Sequence, residues 1–480
     1  MATQKQEAVD PVKLRDEMLN RFEEGQRTLK ENADYYDSIR RPKAIGVAIP
    51  PAMRELLAHV GYARLYINAL VDRLAVEGFR IGDKPEADKD LWDWWQANNL
   101  DSEIKLGLTE ALIHGRAYIT VSMPDPKVDL GLDPAVPIIR VEPPTSLYAE
   151  TDPRTRKVVR AIRPIYNQDG TEVIAATLYV VGATYFFAQE NGQWLPPETN
   201  NHGLELVPVI PIANRTRLSD LYGTSEITPE LRSVTDAASA ITMLMRAVAE
   251  QMGIPQRLLF GVRSEELGID PDTGEVQFDS YIARILGFKE ADGKAMQFAA
   301  ADLRNFTVVL EELHKQAAAY TGLPPQYLST QSENPASAEA IQASETRLVM
   351  NAEGKHLIFG ANLEEAMRVA YQVAKGGEVP PDMLRMETVW RNPATPTYAA
   401  KGDAAVKLYS GGTGVIPKER ARIDMGYSIE ERLEMKKWDE EESAMLALAG
   451  MYSPGDPAAP AGAGAGAAKP TPAKPKAPAA

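Results

Sequence analysis

The chain lacks cysteine altogether, which excludes disulfides, thiolate metal ligands and cysteine nucleophiles. Histidine is scarce as well, and its five copies are scattered without the spacing of metal ligands. The sequence also has no long apolar run suited to a membrane helix. Its longest strongly apolar uncharged stretch, 173–189, is rich in Val, Thr, Tyr and Phe and predicts paired strands. The polar residues 1–10 do not predict a signal peptide.

Motifs for enzyme chemistry are missing too. We find no phosphate-binding P-loop and no glycine fingerprint for dinucleotides after a predicted strand. Residues 270–275 resemble the start of a calcium loop but lack its distal glutamate, which favours a turn. The acidic run 439–442 is typical of a solvated helix face, with a metal site as the alternative. The sequence therefore predicts a protein that is not an enzyme and needs no cofactor.

Acidic side chains outnumber basic ones, 67 to 52, and the net charge is −15. Such a chain is not suited to gripping nucleic acid through a broad basic surface, although DNA can slide past an acidic surface without sticking. Local basic clusters occur at 40–43 and 154–163. We interpret both as salt-bridged surface, and contact with nucleic acid or an acidic partner is the alternative.

The most informative segment that is present predicts one very long helix over 335–375. Asn334 is a suitable N-cap, Pro335 suits the first helical position, and Gly376 suits the end. Apolar residues follow one face, and the helix would be about 60 Å long. This length favours a spine on which copies of the protein pack. Two alternatives are a buried helix in a large monomer and a division at the glycines 354 and 360.

The rest of the chain predicts an α+β protein that is predominantly helical. Hydrophobic periodicity indicates an α+β part over 30–220 and two further helices with an apolar stripe, 229–252 and 302–321. The stretch 237–245 has no charge on any face and is therefore expected in a core or an interface. The helices predicted before 220 are 11–33, 51–76, 87–98 and 101–114, and the strands are 116–123, 137–142, 157–166, 172–181 and 183–189.

The remaining segments are shorter. Residues 254–299 predict a small insertion of strands, and 326–333 predict a polar loop before the long helix. Weaker helical patterns lie at 398–409, 417–424 and 428–449. The tail 451–480 is rich in Pro, Ala and Gly, a composition typical of disorder.

Three stretches in this order, 65–79, 208–242 and 321–351, resemble the SPP1-like portal proteins of tailed double-stranded DNA bacteriophages. They read LYINALVDRLAVEGF, PVIPIANRTRLSDLYGTSEITPELRSVTDAASAIT and TGLPPQYLSTQSENPASAEAIQASETRLVMN. The resemblance spans about 30–445. It implies a portal fold and a dodecameric ring in the virion, at one capsid vertex, assembled in the bacterial cytoplasm. The ring would be the channel for DNA packaging and ejection and the connector between head and tail.

The resemblance also implies a division into regions. These are a wing at 1–225, a first stem helix at 226–253, a clip at 254–299, a second stem helix at 300–322, a tunnel loop at 323–334, the spine helix at 335–394, a crown at 395–449 and a tail at 450–480.

Site residues and partners follow from these regions. The implied partners are further copies of the chain, the terminase large subunit, major capsid and scaffold proteins, head-completion or adaptor proteins, and double-stranded DNA without sequence specificity; no membrane is implied. Another virion structural protein, such as a minor capsid or connector protein, and a metal-dependent nucleic-acid-processing enzyme are the alternatives.

Three sets of site residues are predicted. The tunnel-loop residues are Gln326, Ser329, Thr330, Gln331, Ser332 and Glu333. The subunit-interface residues are Ile241, Met243, Leu244, Met245, Leu310 and Leu313, and the terminase-facing residues are Arg263, Arg284, Lys289 and Lys294.

Overall fold

The computed structural model divides the chain into two compact units, 1–395 and 396–480. No helix in the part of the chain that the structure describes is long and apolar enough to cross a membrane. The described residues are 10–40, 58–82, 87–252, 257–260, 285–288, 296–297, 303–328, 338–394, 398–409, 414–427 and 429–451.

The first unit contains seven described helices and the second contains three. Those of the first unit are α1 Pro11–Tyr36, α2 Tyr62–Val71, α3 Lys89–Ala97, α4 Leu100–His114, α5 Pro229–Met252, α6 Arg304–Thr321 and α7 Ala338–Lys375. Those of the second unit are α8 Tyr398–Tyr409, α9 Lys418–Met425 and α10 Ile429–Met451.

The described strands all belong to the first unit. They are β1 Val76–Arg80, β2 Arg116–Ser122, β3 Ile138–Glu142, β4 Tyr148–Thr151, β5 Val158–Tyr166, β6 Val173–Val180, β7 Ala183–Glu190, β8 Gln193–Trp194, β9 Glu198–Asn201, β10 Val209–Ala213, β11 Arg257–Phe260, β12 Ile285–Phe288, β13 Met296–Gln297 and β14 Glu387–Trp390.

These strands form four sheets. A three-stranded antiparallel sheet has the order β10-β2-β3, and a larger antiparallel sheet has the order β4-β5-β6-β7-β8 with β9 paired to β7. Strand β1 pairs with β14, which lies near the C-terminal end of the first unit in the sequence. In the fourth sheet, β11 lies between β12 and β13. Turns that contain Gly170 and Gly192, both with positive φ, connect β5 to β6 and β7 to β8.

The main core lies between the β10-β2-β3 sheet and helices α2, α4 and α7. Leu70, Leu108, Ile119, Phe359 and Leu363 are all fully or almost fully buried there. Alternation along β2 turns Ile119 and Val121 into this core and Tyr118 into a smaller one on the opposite face of the sheet. Both faces of this sheet are thus covered.

Helix α1 covers the larger sheet. Its apolar face, at Leu14, Met18 and Phe22, packs against Ile162 and Phe187. Arg15 on the same face is only 3% exposed, and its guanidinium lies over the rings of Phe187 and Trp194. Because a desolvated guanidinium is attracted to aromatic faces, this arrangement offsets part of the cost of burying the charge.

The helix predicted over 51–76 is shorter in the structure, and the prediction is wrong at both of its ends where residues are described. The sequence predicts a helix over 51–76, but α2 begins after Gly61 and ends before Asp72, and residues from Val76 onward form β1. Backbone pairing with the distant β14 competes with the helical pattern here, since Phe79 and Arg80 pair with Thr388 and Glu387. Residues 51–57 lie outside the described part.

The long helix α7 is continuous over 38 residues, Ala338–Lys375, and the glycines at 354 and 360 do not divide it. Residues 335–337 lie outside the described residues. Gly360 faces the ring of Trp390, where an added Cβ would lie 3.2 Å from the indole nitrogen. A small residue at this point lets the helix approach β14 closely.

In the second unit, ion pairs join α9 to α10. Arg422 lies 2.8 Å from Asp439, Lys418 pairs with the same carboxylate, and Arg432 lies 3.2 Å from Glu419. The acidic run at 439–442 therefore begins with a carboxylate that neighbouring cations neutralise. This contact agrees with the interpretation of the run as a helix surface.

Two loops cross at a pair of glycines in the first unit. Gly115 and Gly223 both have positive φ, and a Cβ on Gly223 would overlap the carbonyl oxygen of Gly115. That same oxygen accepts a hydrogen bond from the backbone nitrogen of Asn214 at 2.8 Å. The backbones can approach this closely only because neither residue has a side chain.

We expect Gly223→Ala to lower the free energy of unfolding by at least about 2 kcal/mol, because backbone strain and steric overlap add. Gly25→Ala is the matched control, since Gly25 lies within α1 and a Cβ there meets no atom within 4 Å. It should raise stability by about 0.5–1 kcal/mol. Denaturant unfolding of the full chain measures both, and equal effects would contradict the close crossing.

Candidate functional site

Helices α5 and α6 pack against each other and lead to the polar loop that precedes α7. The apolar stretch of α5 at 237–245 is largely shielded within a single chain. Met243 is buried against Ala58, Leu244 packs against that pair, and Ile241 and Met245 are half-buried. On α6, Leu310 and Leu313 pack against the main core. The predicted subunit-interface residues therefore make contacts inside their own chain, and their role between chains stays a prediction.

Exposed apolar side chains lie elsewhere on these helices. On α6 they are Val308, Val309 and Tyr320. On α7 they are Met350, 64% exposed, and Leu357, 80% exposed, which lie two helical turns apart on one face. Met350 and Leu357 are not predictable as a surface from the sequence, since an isolated apolar residue on a helix carries little signal.

Among the predicted tunnel-loop residues, only Gln326 lies in the described part of the chain. Gln326 lies in a short 3-10 turn, Pro325–Tyr327, and its Nε2 donates a hydrogen bond to Ser344 Oγ at 2.7 Å. Ser344 belongs to α7, so the two flanks of 329–337 lie side by side. Outside the described residues lie the other predicted loop residues Ser329, Thr330, Gln331, Ser332 and Glu333, and the predicted clip residues Arg263, Arg284, Lys289 and Lys294.

A buried polar cluster connects α7 to the body of the unit. The Nζ atom of Lys355, whose side chain is 6% exposed, pairs with Glu226 and donates to Asn214 Oδ1 at 2.6 Å. Asn214 is fully buried, and its Nδ2 donates to Glu226 at 2.9 Å and to the Thr224 carbonyl at 2.7 Å. Each buried polar atom named here thus has a partner, as burial requires.

The second oxygen of Glu226 extends this cluster to α2. Tyr66 Oη donates to it at 2.9 Å, and Asn351 of α7 donates to Tyr66 Oη at 2.8 Å. Burial raises the pKa of Glu226, but the Lys355 ammonium and the hydrogen bonds from Lys355, Asn214 and Tyr66 outweigh it, so the pKa lies below its ordinary value. The carboxylate is therefore ionised at neutral pH and holds three elements together.

Sequence reasoning missed this cluster, although one signal points to it. Lys355 stands on the apolar stripe of α7, between Ala352 and Phe359, where a charge is unexpected. Its partner Glu226 is 129 positions away along the chain, so the sequence alone does not identify the pair.

In the described part of the basic clusters, Arg40, Arg160 and Arg163 form ion pairs. Arg160 pairs with Glu150 and Glu17, Arg163 lies 3.2 Å from Glu142, and Arg40 lies 3.0 Å from Glu31. These contacts favour the interpretation as salt-bridged surface. Among the described residues, no group of three or more His, Asp or Glu side chains is placed to hold a metal ion.

We expect Lys355→Met to lower the free energy of unfolding by about 3–5 kcal/mol, because Glu226 stays buried without its cation. The double variant Lys355→Met/Glu226→Gln should lose less than the single variant. Lys375→Met, an exposed position at the end of the same helix, is the control and should change stability by less than about 0.5 kcal/mol. Denaturant unfolding at a fixed protein concentration measures all three, and equal losses at 355 and 375 would contradict the buried pair.

Glu226 also predicts a dependence on pH. A carboxyl whose folded pKa lies below its unfolded value of about 4.5 stabilises the fold above that pH, and this stabilisation is lost as the pH falls through the folded pKa. The stability difference between the unaltered chain and Glu226→Gln should therefore shrink below about pH 4.5. Unfolding curves across the acidic range test this, and a difference that does not depend on pH would contradict it.

Comparison with known proteins assigns the chain to a family. The profile described as "Phage portal protein, SPP1 Gp6-like" matches residues 16–445. The chain is 61% identical over 456 residues to a portal protein of Mycobacterium phage D29, covering 95% of this chain and 94% of the relative. It is 60% identical, with the same coverage, to a portal protein of Mycobacterium phage L5.

A structural comparison gives a weaker likeness. A chain from the neck of an empty GTA particle aligns with a TM-score of 0.43 and 15% identity, covering 82% of this chain and 93% of that chain. The assignment depends on the sequence matches, which extend from α1 into α10. The chain belongs to the SPP1 Gp6-like family of phage portal proteins.

Proposed function

We propose that copies of this chain assemble into a ring at one vertex of a phage capsid and that double-stranded DNA passes through the centre of the ring. The observation that carries this proposal is the family match over 16–445, together with 61% identity to a portal protein. The protein acts as a conduit and a connector, not as an enzyme. A separate terminase drives packaging, and the same channel later releases the genome.

We assign each segment of the chain to one region of a portal subunit. We assign the wing to 1–225, the stem to α5 and α6, the spine to α7 and the crown to 395–449. The clip, 254–299, and the tunnel loop, 323–334, connect these regions. Terminase meets the clip during packaging, and head-completion or adaptor proteins meet it afterwards. Scaffold and major capsid proteins are the partners during assembly of the shell.

Contacts between subunits require apolar surface that a single chain leaves uncovered. Ile241, Leu244 and Met245 are half-buried, and Val308 and Val309 are exposed, so α5 and α6 retain apolar area for a neighbouring copy. On α7, Met350 and Leu357 are exposed as well. Since large exposed apolar patches mark interaction sites, we assign these helix faces to the contact between neighbours in the ring.

The charge of the chain suits a channel through which DNA moves. A net charge of −15 disfavours tight electrostatic binding to phosphate, which would oppose translocation. The polar loop that includes Gln331 and Glu333 brings hydroxyl, amide and carboxylate groups near the DNA without a row of cations. This loop therefore contacts DNA weakly and without sequence specificity.

Imaging and packaging together test this function. Native mass spectrometry with negative-stain imaging of the full chain should show a closed, dodecameric ring with a central hole. Replacement of Gln331, Ser332 and Glu333 by glycine should leave the ring intact and reduce the yield of packaged DNA, because the loop would then lack its polar side chains. The control is Gln193→Gly, at an exposed position far from α6 and α7 in the sequence.

Two results would contradict the proposal. A chain that stays monomeric in the presence of scaffold protein would contradict the ring. Full packaging by the triple glycine variant would contradict the DNA-facing role of the loop, and loss of the ring in that variant would assign the loop to assembly instead.

A further inference from the structure

The residues just after α2 meet both flanks of the segment 329–337. Arg73 Nη2 lies 3.3 Å from Glu345 Oε2, and Tyr327 Oη donates to Glu345 Oε1 at 2.7 Å. Arg73 Nη2 also reaches Tyr327 Oη at 3.5 Å. Tyr327 precedes the segment and Glu345 follows it, so the Arg73 guanidinium contacts groups on both sides of the segment. We call these three residues the clamp.

The side chains of two of the three clamp residues are largely buried, whereas Tyr327 is 37% exposed. The side chain of Arg73 is 9% exposed and that of Glu345 is 11% exposed. Charges this deeply buried persist only when paired and hydrogen-bonded, whereas exposed ion pairs contribute little. Burial and the hydrogen bond to Glu345 raise the pKa of Tyr327, so its hydroxyl keeps its proton and remains a donor at neutral pH.

Further contacts join the two flanks to each other. Gln326 Nε2 donates to Ser344 Oγ at 2.7 Å, and Arg347 Nη1 donates to the Ala319 carbonyl at 3.1 Å. The end of α6 and the beginning of α7 are therefore connected on both sides of the clamp. Arg73 adds a connection of a different kind, because it comes from neither helix.

Arg73 is also anchored to α7 about three turns after Glu345. Its backbone carbonyl accepts a hydrogen bond from His356 Nε2 at 3.2 Å, and the His356 ring stacks on Trp390 at 4.6 Å. Nearby, Arg391 donates its backbone N–H to the Ala75 carbonyl at 2.8 Å. Arg73 and His356 thus form a series of contacts between the flanks and β14, each within hydrogen-bonding or stacking distance.

We propose that Arg73 is a positioning residue: the clamp fixes the two flanks of 329–337 to the end of α2 and couples their position to β14. This inference rests on the proposed function, in which that segment faces DNA. A force that DNA exerts on the segment is then carried by α2 and the β1-β14 sheet, and the adjoining turns of α6 and α7 stay folded.

Hydrogen exchange on the assembled full-length protein, without DNA, tests the clamp directly. Tyr327→Phe removes one hydroxyl between α6 and α7. We nevertheless expect the amides of Asp72, Arg73 and Leu74, which follow α2, to exchange about tenfold faster. This is the size of the effect expected when a hydrogen bond to a charged group is lost. Tyr320→Phe is the matched control, since Tyr320 is an exposed tyrosine on α6. The amides of β2 should be unchanged in both variants, which separates a local effect from general destabilisation.

A spin label gives a second readout. Because the chain has no cysteine, Ser332→Cys provides a single labelling site. The label should become more mobile in Tyr327→Phe and in Arg73→Met, and the double variant should show no further increase if the three residues act as one unit. Unchanged exchange after α2, or an additive effect of the two substitutions, would overturn the clamp.

Packaging assays then separate this inference from the proposed function. Reduced packaging by intact Tyr327→Phe rings supports both the clamp and the DNA-facing loop. Faster exchange with normal packaging supports the clamp and contradicts the DNA-facing role. Normal exchange with normal assembly and packaging contradicts the clamp alone.

Discussion

The buried ion pair between Lys355 and Glu226 determines where the long helix sits. An apolar stripe can slide by one turn, about 5.4 Å, and still bury similar area, so hydrophobic packing alone specifies the position of α7 weakly. A buried charge tolerates no such slip, because Glu226, Asn214 and Tyr66 are oriented for one position of Lys355. The glycine crossing at 115 and 223 and the beginning of α5 lie next to this pair, so their placement depends on it as well.

Local signals predict much of the fold, whereas contacts between distant residues are not predictable from the sequence alone. The stripe through Leu348 and Phe359 and the stop at Gly376 predict the described part of α7 and its end at Lys375, whereas the predicted start at 335 lies outside the described residues. The helix predicted over 51–76 was wrong at its described ends because pairing with β14 outweighs a local pattern. In the candidate site, Gln326 was predicted and is described, whereas Arg73, Glu226 and Lys355 were missed. The role of each of these three residues depends on a partner more than a hundred positions away, so the sequence does not reveal it.

Helix α5 shows how the same apolar pattern serves two purposes. A helix without charge on any face indicates burial on all sides, and part of that burial comes from its own chain through Ala58 and α6. The remainder of the stretch is half-buried. Sequence patterns do not distinguish these two sources of burial, since periodicity reports how much of a helix is apolar and not what covers it.

The pairing of β1 with β14 has a consequence for synthesis on the ribosome. Arg80 and Glu387 are 307 positions apart, so the first strand has no partner until nearly the whole first unit has been made. At the usual elongation rate of 5–20 residues per second, this delay is about 15–60 s. During that time the backbone donors and acceptors of β1 are an open edge on the nascent chain. The glycine at position 78 and the flanking charges of Glu77 and Arg80 make that edge a poor template for pairing with other chains.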